Sequence, residues 1–312
     1  MKTDKVCSSE LKDNGRLMTP LMDWSFKFIF GTEQSKPNLL GFLNMVLMPE
    51  SPIVNVHFLN NEVIPVSPKL KGTVFDLICE DGNKDKYLIE VQNQRADNIL
   101  DRIIFYTCRL IERMGQKGDQ WDYSDIKKVY SICIMNFTFG DKAKLRRDVQ
   151  LYYTDDKEQY SDKLNIILLQ LPYAKSFNMN ECKFYYEYLL SLLKEMDKEM
   201  KTKDQLKQEV AQTQLSDEIK EYFYSIIDTA HIGSLSEKER LQYEANLKSY
   251  RHTMSCIRYA ENKGRAEGRA EGRVEGRAEG RVEVAKALKA KGVDVAIICE
   301  TTKLSADEVD KL

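Results

Sequence analysis

No CxxC pair occurs among the seven cysteines, and the three histidines, His57, His231 and His252, do not join them in a zinc-site spacing, so zinc fingers and Cys/His metal enzymes are excluded. An odd number of scattered cysteines cannot all pair within one chain, which points to a reducing cytosol. No apolar run approaches the roughly 20 residues of a membrane helix. The polar start, MKTDKVCSSELKDNG, also lacks the apolar region of a signal peptide, so the expectation is a cytoplasmic protein without a membrane partner. There is no P-loop and no nucleophile elbow. Excess charge of either sign is missing too: 47 Lys and Arg stand against 49 Asp and Glu, with a net charge of -2. That excludes a generally basic nucleic-acid coat but leaves room for a local basic groove.

What is present is a chain of 312 residues, 42% hydrophobic and 10% aromatic, long enough for one substantial core with appended units. Apolar positions 21, 24, 28 and 29 followed by Gly31 predict a helix, and KPNLLGFLNMVLM continues with a second helical stripe up to Pro49. Strands are expected over 53–58, 73–80, 86–93, 128–137, 147–154 and 164–171, with a helix over 97–114 between the third and fourth. This order predicts an α/β fold with helices packed on the faces of a sheet. From about 178 the pattern turns long, charged and amphipathic. The expected organisation is a core over 18–178, a helical appendage over 179–262, a Gly-Arg-Glu repeat linker over 263–283 and a small helical cap over 284–312.

The repeat, GRAEGRAEGRVEGRAEGRVE from Gly264 to Glu283, has a period of four. In a helix every i,i+4 charge pair would join like charges, as Arg265 with Arg269 and Glu267 with Glu271. Each of its five glycines also costs about 1 kcal/mol relative to alanine. Two readings follow: a frayed, solvated spacer or partly helical linker, or a smooth stripe along which a second copy of the helix approaches and pairs Arg with Glu, giving a homo-oligomer. Beyond it, Gly292 is a helix stop, and Ser305 with Glu308 has the capping-box spacing. Such a two-helix end has helix-turn-helix flavour, an arrangement of which only a minority bind DNA.

Chemistry concentrates in VFDLICEDGNKDKYLIEVQ, Val74 to Gln92, where acidic residues sit inside two apolar runs. If the turn is centred on Asn83, residues whose numbers sum to 166 face each other, which sets Asp76 opposite Glu90. Alternation adds Gln92 to the same face and turns Tyr87, Ile89 and Val91 away. Two facing carboxylates repel unless a cation lies between them. Mg²⁺ accepts one or two carboxylates, keeps several waters and completes its shell with phosphate oxygens. Spacing alone is equally compatible with two solvent-facing acids on an edge hairpin.

The stretch FDLICEDGNKDKYLIEVQNQ, followed by DNILDRIIFYTCRLIERM and preceded by MDWSFKFIFG, resembles the PD-(D/E)XK nuclease family transposases, also called recombination-promoting nucleases, across roughly residues 20 to 260. The resemblance implies a restriction-endonuclease-like mixed sheet flanked by helices, with a helical C-terminal extension, that cuts DNA using Mg²⁺. It implies that Asp76 is the metal-binding aspartate and Glu90 the second acidic residue. Gln92 stands where the wider superfamily usually has lysine; an amide orients a water or a phosphate but carries no charge and is no base.

Asp23 and Lys27 match the family's first helical motif. Their i,i+4 spacing suits either Asp23 joining the metal shell, with Lys27 near substrate, or an ordinary surface ion pair. Arg102, Tyr106 and Arg109 fall at i, i+4 and i+7 on the helix over 97–114, as a phosphate-gripping stripe or as a solvated face with Tyr106 half in the core. Lys142, Lys144, Arg146 and Arg147 form a basic cluster beside a strand, within reach of a DNA backbone or simply solvated. The sequence therefore predicts a Mg²⁺-dependent DNA endonuclease, with a weakly active or inactive DNA-binding or self-associating protein of the same fold as the alternative.

Overall fold

The computed structural model describes residues 15–60, 62–63, 73–74, 76–115, 121–140, 142–175 and 182–312. The polar N-terminal stretch up to position 14 and Phe75 of the expected strand over 73–80 lie outside them.

Two short helices open the fold. Helix α1, Asp23–Phe30, buries Phe26, Ile29 and Phe30, carries Asp23 in its first turn and Lys27 in its last, and closes at Gly31. That charge order suits the helix dipole. Helix α2, Lys36–Leu47, starts with Pro37, where the missing N–H costs nothing.

Strands β1 (Val56–Phe58), β2 (Glu62–Val63), β3 (Thr73–Val74), β4 (Leu77–Asp81) and β5 (Lys86–Gln92) follow. After helix α3 (Ile99–Glu112) come β6 (Val129–Met135), β7 (Arg146–Tyr152) and β8 (Gln159–Gln170). The main sheet runs β1-β4-β5-β6-β8-β7, with β2 and β3 as a separate pair. β5, β6 and β8 are mutually parallel and the outer pairings antiparallel. The parallel β5–β6 step needs a crossover, and α3 supplies it. Ile99, Ile103, Thr107 and Leu110 recur at helical spacing and form the buried face of α3. Ile99 and Ile103 pack on Cys133, Met135, Ile166 and Leu168, while Leu110 packs on Ile78, Leu88 and Val129. Thr107 and Ser131 share a buried hydroxyl hydrogen bond of 2.7 Å under the helix. The expected strands are all present, the sixth beginning earlier than its apolar run, because β8 extends to pair with the edge strand β7.

The remaining helices are α4 (Tyr185–Asp197), α5 (Lys203–Ala211), α6 (Asp217–Thr229), α7 (Glu237–Ala290), α8 (Val295–Thr302) and α9 (Ala306–Asp310). Contacts group the described residues up to Leu247 in one compact unit and Lys248–Leu312 in another. The division expected at 178/179 is thus not a division of packing. The Tyr222 ring of α6 lies across Gly41 of α2 and its hydroxyl donates to the Asn38 carbonyl at 2.9 Å, while Met18 N–H donates to the Ala230 carbonyl at 2.8 Å. Amphipathic stripes in the helical third revealed that a face is buried, but not against what.

In the second unit, Ala285, Ile298 and Val309 form a small core joining the end of α7 to α8 and α9. Ser305 and Glu308 make the expected capping box. Residues 263–283 lie inside the 54-residue helix α7, so the repeat is helical throughout rather than frayed or partly helical. No described helix is long and apolar enough to cross a membrane.

Candidate active site

The β4–β5 hairpin has the expected register, with Leu77 opposite Ile89, Ile78 opposite Leu88, Cys79 opposite Tyr87 and Glu80 opposite Lys86. Asp81 sets it. One of its carboxylate oxygens accepts from the backbone N–H groups of Asn83 (2.9 Å) and Asp85 (3.0 Å), and the other from the Tyr87 hydroxyl at 3.0 Å. Lys84 takes the left-handed conformation, at φ 67°, that closes the turn.

Asp76 faces Glu90, though not as a ladder pair. The backbone ladder ends at Leu77, and Asp76 sits on a bend where side chains take over the hydrogen bonding. Its N–H donates to Glu90 Oε1 at 3.3 Å, and the Val91 N–H donates to Asp76 Oδ2 at 2.7 Å. Gln92 Nε2 donates to Glu90 Oε2 at 3.2 Å. The solvent-facing alternative fails, because β5 is an inner strand and Glu90 is only 6% exposed.

Burial drives the electrostatics. It lifts the Asp76 carboxyl to about 6, against the pull of the Val91 N–H and with a further push from Asp23. It lifts Glu90 to about 8, with the Asp76 charge adding to the rise and Arg102 opposing it. Burial thus outweighs the opposing pull of Lys27 on Asp76 and of Arg102 on Glu90.

The structure brings four of the other sequence candidates to this pair. The charge of Asp23 pushes on Asp76, and Asp23 pairs with Lys27 at 2.7 Å, so the surface ion pair of that motif is present. Arg102 acts on Glu90 and lies 5.8 Å from the Tyr106 ring centre, and Tyr106 feels both acidic charges. Arg109 does not join them. It is buried, paired with Glu112 at 3.0 Å and lies over the Phe105 ring. In the basic cluster, Arg146 is already engaged by Asp148 at 2.9 Å, by the Val46 carbonyl and by the Tyr186 ring.

Sequence reasoning missed a polar relay beside Gln92. Asn93 donates to the Leu21 carbonyl at 2.7 Å and accepts from Asn136 Nδ2 at 3.3 Å, tying the end of β5 to the residues leading into α1. The Asn136 N–H holds the Gln92 carbonyl at 2.8 Å, and Nδ2 also reaches Asp197 Oδ2 at 3.5 Å. Two asparagines directly after apolar strands were the available signal. Burial lifts the Asp197 carboxyl to about 7, and its Oδ1 has no hydrogen-bond partner among the described residues. Because the folded value lies above the unfolded one, this group costs stability increasingly as pH rises from about 4 to about 7, and fully above that. Asp197→Asn is therefore expected to stabilise the protein by roughly 2–4 kcal/mol at pH 8 and little at pH 4.5. Urea midpoints at the two pH values check this; equal shifts contradict it.

Among the described residues no cluster of three or more His, Cys, Asp or Glu forms a metal cage. The acidic pair nevertheless fits a hard divalent ion, since Mg²⁺ needs only one or two carboxylates and takes the rest of its shell from water and phosphate. The nearby neutral donor, the Gln92 amide oxygen, is hard as well.

A mixed sheet flanked by helices, with an Asp and a Glu joined across the hairpin that enters its parallel centre, defines a nuclease-like fold of the PD-(D/E)XK class. The sequence profile of the PD-(D/E)XK nuclease family transposases matches residues 20–260, and the chain belongs to that family. No curated protein and no solved structure matches it.

Proposed function

We propose that the chain is a divalent-metal-dependent DNA endonuclease, with Asp76 and Glu90 holding Mg²⁺. The observation that carries this reading is the Asp76–Glu90 pair joined across the hairpin, with both carboxyls raised by burial. A bound Mg²⁺ would offset their mutual repulsion, acidify a water and polarise the phosphate. Gln92, anchored through its amide nitrogen on Glu90, orients the attacking water through its oxygen and takes no proton. Arg102, braced on Tyr106, faces the negative charge that grows on the phosphate, and Lys27 holds Asp23 against the pair. Calorimetric titration with Mn²⁺ tests the metal site. Saturable binding lost in Asp76→Asn supports the reading, and identical heats from both proteins sink it.

Gln92→Lys separates full from partial use of the site. Lysine restores the charge that the wider superfamily places near the scissile phosphate, so this variant is expected to cut plasmid DNA at least as fast as the native chain. A loss of tenfold or more would show that the amide itself is required.

The repeat adds a candidate self-association surface. Residues 261–279 of α7 are exposed all round, and a Cβ on any of Gly264, Gly268, Gly272, Gly276 or Gly280 would meet nothing within 4 Å. Within one helix the repeat's charges are matched only to like charges, and a second copy supplies the Arg–Glu pairs. Deleting 264–312 is expected to reduce the mass measured by light scattering to that of a monomer while leaving DNA cleavage in place; an unchanged number of copies contradicts this.

A further inference from the structure

On the far flank of α3 from Arg102 and Tyr106, a cleft of about 640 Å³ opens between the helix and the β7–β8 edge of the sheet. Its size falls within the roughly 300–1,000 Å³ of small-molecule sites. The walls are apolar: Leu100, Ile103, Ile104 and Phe139 line it, and Ile104 is left 49% exposed. Cations form the rim. Lys142, Lys144 and Arg147 line the opening, and no carboxylate among the described residues pairs with them, while the Asp148 carboxylate is taken up by Arg146.

The rim is held in place. Gln170, fully buried, accepts from the Phe139 N–H and donates to the Lys144 carbonyl at 2.9 Å, which fastens both ends of the segment that carries the two lysines. Arg147 Nη2 donates to the Lys142 carbonyl at 3.2 Å, and its Nε, also buried, has no acceptor among the described residues. A basic loop fixed in this way loses little freedom on binding an anion.

An apolar slot rimmed by cations that have no carboxylate partner among the described residues matches a nucleotide, whose base wants an apolar face and whose phosphate wants positive charge. A stacked duplex hides the faces of its bases and would leave the apolar walls wet. We propose that this cleft seats an unpaired nucleotide, so that the substrate is DNA with a single-stranded segment. The proposal rests on the nuclease reading for its biological sense but not for its test.

The test uses the full chain carrying Glu90→Gln, in chelator, so that neither metal nor cleavage enters. Fluorescence anisotropy compares a labelled 12-nucleotide oligo-dT with a 12-base-pair duplex at one salt concentration. The expected result is at least tenfold tighter binding of oligo-dT. Adding Lys142→Ala with Lys144→Ala, or Ile104→Asp alone, should weaken oligo-dT binding about tenfold, and both changes fall at exposed positions that the fold tolerates. Duplex binding as tight as oligo-dT binding, indifference to these variants, or displacement by polyglutamate at matched charge would overturn the proposal. The two readings fail separately: cleavage by the native chain without cleft-dependent oligo-dT binding removes the cleft, and oligo-dT binding without cleavage removes the nuclease.

Discussion

Glu90→Gln is expected to stabilise the metal-free protein while abolishing its Mg²⁺-dependent cleavage of DNA. The folded-state carboxyl titrates at about 8 against an ordinary value of 4.5, so the folded protein favours the neutral form. The sign follows from linkage: the native side chain loses stability as pH rises from about 4.5 to about 8. Glutamine is neutral throughout. The shift is worth on the order of 4 kcal/mol at pH 8, since each unit corresponds to about 1.4 kcal/mol. One of the two hydrogen bonds that Glu90 accepts, from the Asp76 N–H and Gln92 Nε2, is lost or inverted with an amide, at about 1 kcal/mol. A net gain of roughly 2–3 kcal/mol should therefore appear at pH 8 in chelator and vanish near pH 5. Cleavage should fall at least about 100-fold, because the variant removes one of the two carboxylates proposed to hold the metal. Denaturant midpoints at both pH values and plasmid nicking check the two halves, and parallel loss of stability and activity contradicts the account.

Gly41→Ala is expected to be the most damaging small substitution in the first unit. A Cβ at this position would lie 2.0 Å from Tyr222 Cε2, inside a ring whose hydroxyl is bonded to the Asn38 carbonyl one turn earlier on the same helix. The ring cannot swing away without breaking that bond and parting α2 from α6. Better helix propensity returns only about 1 kcal/mol, whereas overpacking of this kind costs about 3 kcal/mol or more. A net loss of roughly 2–3 kcal/mol should lower the urea midpoint. Combining the change with Tyr222→Ala should cost less than the sum of the two single variants, since the shared clash is gone. Additive effects would show that the ring is free to move.

These positions also mark where the sequence was readable. The hairpin could be placed to the residue, because Asp81, Asn83 and Lys84 concentrate turn chemistry and a period of two then fixes every partner. Arg109 could not be placed. Its spacing from Arg102 is right for a shared stripe, a seven-residue step falling only about 20° short of two helical turns, yet Arg109 is buried and paired with Glu112. Asp197 carried no local signal, because what raises its carboxyl is burial next to Asn136, 61 positions away. Gly41 carried no local signal for the same reason, its partner Tyr222 being remote in sequence. For the repeat, local propensity argued against a helix and the structure has one; like-charge pairs and glycine penalties sum to a few kcal/mol, which a long helix anchored at its end by the core of Ala285, Ile298 and Val309 can bear.

The central claim is that Asp76 and Glu90 together make a metal-dependent DNA-cutting site. A time course of supercoiled plasmid with the purified native chain, run in Mg²⁺ and in chelator beside Asp76→Asn and Glu90→Gln, tests it most directly. Nicked and linear DNA should accumulate only with the native chain in Mg²⁺, whereas cleavage that persists in chelator, or at the native rate in either variant, contradicts the account.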